Sequence, residues 1–235
     1  MEIFSNKNED VVISSTKIGY YHIFAISFSF IFIISNLAAI KIGYFFGVFL
    51  DTGTAYFPLL YIINDIVTEV YGFKASRRII WLAIFANILF VFLLSIAVNL
   101  PSADGYFTNY AFNTLFVLSP RILVASISSF LIGEYINSVI LSTSKISFKG
   151  KLFMFRAVIS TFIGVTLESF LFATIAFYGV IPTMEIFYMT ITLIFAKVLY
   201  GLVSVPISAK IVKFLKISEN VDFYDYKTKF NIFSI

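Results

Sequence analysis

Asn64-Asp65-Ile66-Val67-Thr68-Glu69-Val70-Tyr71-Gly72 is the stretch on which the reading of this chain turns. It closes an apolar run from Tyr56 to Ile63 and is soon followed by Arg77-Arg78. Four residues make about one helical turn, so Asp65 and Glu69 share a helix face, with Tyr61 one turn earlier and Gly72 just beyond. In a water-soluble protein such a pair marks a solvated helix edge. Here 60% of the 235 residues are hydrophobic, only 13% are charged, and mean hydropathy is +0.95. Soluble domains are about a quarter charged. Ionisable groups near lipid are expensive, so acids in such a chain face a cavity or a partner.

Long apolar segments recur along the whole length and predict an all-α integral membrane protein of one domain, residues 1–235. No polar stretch is long enough to bury a core of its own. The absence of cysteine excludes disulfides, thiolate metal sites and cysteine nucleophiles. The single His22 excludes a histidine-rich metal site, and no cofactor is expected.

Six spans can be laid out. Residues 1–17 read as a cytoplasmic N-terminal tail, and Ile18–Leu37 is the first span, too long and too late for a cleaved leader. Asp51-Thr-Gly-Thr reads as a turn before the second, Tyr56 to Tyr71, whose Pro58 sits in the first turn where a missing N–H costs little. Ile79–Leu100 is the third, and residues 101–118, with Asp104-Gly105-Tyr106, are the longest external connection. Ile122–Leu141, Ala157–Tyr178 and Ile186–Ile207 complete the set, and 209–235 read as a cytoplasmic C-terminal tail. The basic residues orient them. Lys7, Lys17, Lys74, Arg77, Arg78, Lys145, Lys149, Lys151, Arg156 and five tail lysines are 14 of the 17 Lys and Arg, and all fall on one side of a six-span bundle. The positive-inside rule therefore puts both termini in the cytoplasm, and the net charge of +4 reflects topology rather than nucleic-acid binding. Short loops predict antiparallel neighbours in one bundle.

Four acids (Asp65, Glu69, Glu134, Glu168) and three bases (Lys41, Arg121, Lys197) lie in or at the edges of these spans. Glu168 is roughly 18 Å along its helix from Arg156, and Lys197 reaches a similar depth from the opposite side, which predicts an ion pair near the midplane. Such a pair can be glue between two helices, but the two further acids nearby favour a ligand-facing pair in a central cavity. Thr161, Gly164 and Glu168 share a face, as do Thr190, Lys197, Gly201, Ser204 and Ser208; small and polar stripes permit close packing or a wet wall. Glu134 and Asn137 share the face of a third helix. Arg121 lies at the outer boundary, as a snorkelling anchor or a ligand contact. Glu69 has a plain alternative in an interfacial salt bridge with Arg78, whereas Asp65 lies a turn deeper.

Asp65-x-x-x-Glu69-x-Tyr71-Gly72 with Ala75-Ser76-Arg77-Arg78 and Trp81 resembles the YhhQ/VUT family of queuosine-precursor transporters. Asn36 to Lys41, Pro120-Arg121, Ala125-Ser126, Gly133-Glu134-x-x-Asn137-Ser138, Arg156, Ser160-Thr161, Ala176-Phe177-x-Gly179, Lys197-Val198-x-Tyr200 and Glu219-x-x-Asp222-x-Tyr224-Asp225 extend the likeness in order and spacing over nearly the whole chain. Val165, Glu168 and Gly201 stand where many members have Gln or Glu, Asp, and Glu respectively. The resemblance implies a six-helix importer, in the cell inner membrane, of 7-deazaguanines such as preQ0, preQ1 or queuine for tRNA queuosine salvage. It also implies a fold similar to the substrate-binding subunit of energy-coupling-factor transporters, working without the ATPase module. A guanine-type base edge offers adjacent N–H donors that a carboxylate accepts in bidentate fashion, and its flat ring suits aromatic stacking. Asp65, Glu69, Arg121, Glu134, Asn137, Glu168 and Lys197 are therefore the candidate substrate-binding residues, with Glu168 assigned to the base edge.

Rival readings are fewer. An intramembrane hydrolase lacks its usual residues: there is no His pair, Cys or Gly-x-Ser-x-Gly. A channel would need a filter-like repeat or ring of charges. A binding subunit that needs a separate energy module is the stronger alternative. The partners expected are the small-molecule substrate and the lipid bilayer, with no nucleic acid and with a homodimer left open.

Overall fold

The helix that carries Asp65 and Glu69, α2 (Phe57–Tyr71), is bounded as its residues require. Pro58 lies in its first turn, where its missing donor has no helical partner to lose. Gly72 ends it with φ 85°, a conformation that strains any residue bearing a Cβ, and a Cβ there would lie 2.3 Å from Phe223. The next helix, α3 (Phe73–Asn99), starts at once.

The computed structural model describes residues 19–45, 48–103, 108–116 and 120–233. The N-terminal tail, with Lys7 and Lys17, and Asp104-Gly105-Tyr106 of the external connection lie outside the described residues. Before α2 come α1 (Tyr20–Ala38), a hairpin of β1 (Ile42–Phe45) and β2 (Val48–Asp51), and a 3-10 turn at Thr52–Ala55. After α3 come the short α4 (Asn109–Phe116), α5 (Pro120–Ser147), α6 (Phe153–Phe177) and α7 (Thr183–Ser218).

The described residues are mainly helical, and their one two-stranded sheet is that antiparallel hairpin, in which Ile42 faces Asp51 and Phe45 faces Val48. The hairpin was not anticipated. It is fastened to α1 by Thr52, whose N–H donates to Lys41 O (2.9 Å) and whose hydroxyl donates to Ala38 O (2.6 Å).

Among the described residues five helices, α1, α3, α5, α6 and α7, are long and apolar enough to cross a membrane. The segment expected as the second of six spans is α2, whose 15 residues cover about 22 Å, short of a hydrocarbon core of about 30 Å. Thirteen of those 15 residues are buried. This helix packs against α1, α3, α5 and α7 and meets α6 through its polar side chains, so it is the axis of the bundle.

Helices overrun the apolar stretches at the basic end. Here α3 starts at Phe73 rather than Ile79, α5 runs on to Ser147, and α7 continues to Ser218 past Pro206. Lys, Arg and Ser continue a helix readily once its apolar part is formed, and a proline is tolerated where neighbouring helices support the backbone. The beginning of α1 meets the end of α7 at this end, where Tyr20 N–H donates to Glu219 Oε1 (2.8 Å). Residues 219–233, expected as a free tail, pack into the bundle. Phe223 N–H donates to Val70 O (3.0 Å), Trp81 Nε1 to Ile232 O (2.7 Å), and Tyr135 Oη to Phe230 O (3.2 Å).

Apolar side chains divide as a bilayer demands. Phe28, Phe32, Leu60, Ile66, Val67, Val70, Ile79 and Phe130 are buried in the core, while Phe85, Phe92, Phe170 and Phe195 stand exposed on the outer surface.

Candidate functional site

Every fourth residue of α2 turns an ionisable or hydroxyl group inward, and each meets a different set of partners. Nearest the hairpin end, Tyr61 donates to Glu168 Oε2 on α6 (2.6 Å). The other oxygen, Glu168 Oε1, accepts from Lys197 Nζ on α7 (2.9 Å), and both side chains are nearly enclosed. The ion pair expected from their depth is thus present, with a third member from α2. Lys197 also lies 4.8 Å from the Phe57 ring centre, a cation–π contact.

One turn along α2, Asp65 has only neutral partners. Its Oδ1 accepts from Asn137 Nδ2 on α5 (2.8 Å) and its Oδ2 from Thr161 Oγ1 on α6 (3.2 Å). Beside it Asn64 donates to Glu134 Oε2 and to Ser138 Oγ (2.9 Å), and accepts from Ser76 on α3. Asp65 is 3% exposed and Glu134 0%, so neither is solvated in this conformation. Two acceptor atoms of this layer, Glu134 Oε1 and Asn137 Oδ1, are buried without a hydrogen-bond partner among the described residues. Buried polar atoms are satisfied as a rule, and exceptions call for an explanation.

This layer depends on close helix approach. A Cβ on Gly133 would lie 2.7 Å from Glu168 Cβ, and one on Gly164 would lie 2.8 Å from Gly133 O. Glycines at these two positions let α5 and α6 touch backbone to backbone, the small-residue contact typical of membrane helices. On α7, Thr190, Lys197, Gly201, Ser204 and Ser208 are all buried, as their spacing requires.

At the basic end, Glu69 is held by three cations. Arg156 grips it with Nη1 to Oε2 (2.9 Å) and Nη2 to Oε1 (3.1 Å), Lys216 Nζ reaches Oε1 at 2.8 Å, and Lys145 Nζ lies 3.9 Å away. The Arg78 partner weighed from sequence is replaced by Arg156, because α6 starts four residues before its apolar stretch and carries that guanidinium inward. The C-terminal segment seals the cluster. Lys145 also donates to Asp222 Oδ1 (2.6 Å) and Phe223 O (2.7 Å), and its Nζ sits 4.4 Å from the Tyr224 ring centre. Asp225 accepts from Phe73 N–H (2.9 Å) and Ser142 Oγ (2.5 Å), which caps the start of α3. Beyond the last helix, Tyr224 is pushed up from the ordinary tyrosine value, first by burial and then by the Asp222 charge.

Of the seven candidate residues, the structure therefore brings Asp65, Glu134, Asn137, Glu168 and Lys197 into one layer and places Glu69 in a separate ionic cluster. Arg121 stands apart at the hairpin end, with Nε to Ile175 O (2.7 Å) and Nη2 to Tyr178 O (2.5 Å), satisfying carbonyls at the end of α6. Sequence reasoning left out Asn64, Ser76 and Ser138. A lone Asn beside an intramembrane Asp was the available signal. Two shallow surface hollows, of about 350 Å³ along Phe92–Leu100 and about 300 Å³ between Phe162 and Leu202, lie away from the acids and are lined mostly by apolar side chains.

The family described as "Putative vitamin uptake transporter" matches residues 51–211, which include every acid of both clusters except Glu219, Asp222 and Asp225. A protein named "Probable queuosine precursor transporter" from Bacillus subtilis (strain 168) is 22% identical over 173 residues, covering 73% of this chain and 76% of that protein. Another of the same name from Haemophilus influenzae is 24% identical over 167 residues, covering 68% of each. No solved structure matches the chain. With more than half its length matched and five helices of spanning length, this chain belongs to the YhhQ/VUT family of multi-pass membrane transporters.

Proposed function

We propose that this protein imports queuosine precursors, 7-deazaguanines such as preQ0, preQ1 or queuine, across the cell inner membrane for tRNA queuosine salvage. The observation that carries the reading is the pair of unpartnered buried acceptors, Glu134 Oε1 and Asn137 Oδ1, in the layer that also holds Asp65 and Glu168. Acceptors collected in a membrane interior suit a ligand rich in N–H donors, and a guanine-type edge presents such donors side by side. The names of the two relatives agree with that chemistry.

Glu168 is the acid best placed to sense the guest. It ties α7 through Lys197 and α2 through Tyr61, so a ligand that takes over its oxygens loosens both helices at once. Asp65, Glu134 and Asn137 receive the remaining donors, and the Phe57 ring, 4.8 Å from Lys197 Nζ, offers an aromatic face beside Glu168's partner. Glu69 serves as the closure towards the basic end, and Arg121 fixes the opposite end. The short α2 counts as a sixth crossing, since α1 and α7 reach the basic end together and the chain between them passes to and fro; both termini then lie in the cytoplasm.

Uptake of labelled queuine, preQ0 and preQ1 into a strain that cannot make queuosine, read as modified tRNA, tests the proposal. Modification above an empty-vector control is expected for at least one of the three. None above control discards the substrate class, and uptake that requires a co-purifying ATPase makes the chain a binding subunit instead.

A further inference from the structure

The layer around Asp65 is out of electrical balance. It holds three carboxylates, Asp65, Glu134 and Glu168, and one ammonium, Lys197, which is hydrogen-bonded to Glu168. The groups facing Asp65 are Asn137 from α5, Thr161 from α6 and, one turn on along α2, Glu69 of the same sign. Glu134 faces Asn64 and Asp65 from α2, Glu168 from α6 and Lys197 from α7, while Ser76 from α3 reaches it through Asn64. The titratable side chains that α1 turns inward are near its first turn, where Tyr21 donates to Ala75 O on α3 (3.2 Å). Arg156, Lys216 and Lys145 are committed to Glu69 and Asp222.

Two carboxylates thus sit fully enclosed with neutral donors for partners. A lone carboxylate taken out of water loses several kcal/mol even after the protein relaxes, and a second one beside it adds repulsion. Pairing with a cation would offset that penalty, but among the described residues no cation bonds to either acid. The remaining remedy is a proton on each. In the empty layer an O–H at Glu134 would sit on Oε1, the oxygen that lacks a partner, and leave Oε2 to accept from Asn64; a cargo N–H takes Oε1 only once the proton has left.

We infer that Asp65 and Glu134 are a proton-binding pair, loaded while the layer is closed and unloaded to water when it opens. On closing, each carboxylate takes one proton, forming an O–H bond at one of its oxygens, from the aqueous side just sealed off. On opening towards the other side, each O–H breaks, the proton passes to water, and the carboxylate left behind is hydrated. A cycle that loads on one side and unloads on the other moves protons across the membrane as it turns over and makes uptake depend on the proton gradient. The proton pair rests on the geometry alone; its coupling to cargo rests also on the transport reading above.

Infrared difference spectroscopy on the purified, ligand-free protein at neutral pH reads the protons directly. The expected result is a carboxylic-acid C=O band that loses a component in Asp65→Asn and another in Glu134→Gln, with both variants still folded by thermal unfolding. A spectrum with no such band, or one that neither substitution alters, overturns the inference. In proteoliposomes, uptake of queuine or preQ1 should change when a proton gradient is imposed across the membrane and lose that response in both variants. Wild-type uptake that ignores the gradient overturns the coupling. If no 7-deazaguanine enters under any gradient while the infrared bands behave as expected, the substrate reading fails and the proton pair stands.

Discussion

Glu69 and Arg156 meet through two parallel hydrogen bonds, 2.9 and 3.1 Å, with both side chains fully buried. The planar fork of the guanidinium matches the carboxylate, and Lys216 takes a further contact at 2.8 Å. Removing the acid leaves the fully buried Arg156 without a carboxylate and leaves Lys145 and Lys216 with Asp222 alone. Glu69→Ala should cost about 3–5 kcal/mol of stability. A lowered thermal midpoint in detergent is the measurement, and an unchanged midpoint would mean the cluster contributes nothing. Arg156→Lys keeps the charge but not the fork and should fall between wild type and Glu69→Ala.

Tyr61 and Lys197 divide the two oxygens of Glu168. Phe at position 61 removes one hydrogen bond of about 1 kcal/mol and should weaken transport by several-fold. Glu168→Gln also removes the charge that Lys197 answers and should abolish transport. A double-mutant cycle of Glu168→Gln with Lys197→Met should show strong coupling, because either single change leaves a buried partner bare. Additive losses would show that the two act independently.

Helix contact at Gly133 leaves no room for a methyl group. Gly133→Ala pushes against Glu168 Cβ and should cost roughly 1–3 kcal/mol through overpacking, with loss of transport as Glu168 shifts. Gly201→Ala is the control. Its Cβ would meet Thr161 Cγ2 at 3.6 Å, an ordinary contact, and alanine is the better helix former by about 1 kcal/mol. Thermal midpoints of the two variants should move in opposite directions.

Asp225 accepts hydrogen bonds from Phe73 N–H, Ser142 and Thr228. Asp225→Ala leaves a buried helix-end donor unanswered and should destabilise by about 1–3 kcal/mol. Limited proteolysis should then cut within residues 219–233 at protease levels that leave the wild type intact. Equal resistance would show that this segment holds its place without Asp225.

How far the sequence could be read follows from what each signal depends on. Depth counted along a helix needs only spacing, and it located Glu168 opposite Lys197 before any packing was known. The helix start marked by Pro58 was equally plain, because a proline acts through the local backbone. The basic ends were harder. Lys145, Arg156 and Lys216 obey the positive-inside count as well as any surface lysine, yet they turn inward to Glu69, since that choice depends on where α5, α6 and α7 meet. Asn64, Ser76 and Ser138 form their chain across three helices and leave no pattern on any one of them. The β1–β2 hairpin is built from residues as apolar as the spans around it, so composition could not separate it from them.

The brevity of α2 reaches beyond its role as an axis. A helix whose flanks are covered by protein, with Leu59 and Ile62 alone showing, has no need to match acyl-chain length. Thicker or thinner lipids will therefore tilt or strain the five long helices and leave the acid-bearing rod largely untouched. Hydrophobic mismatch, which sorts and distorts most membrane proteins, thus acts on this one through the wall rather than through the chemistry inside it.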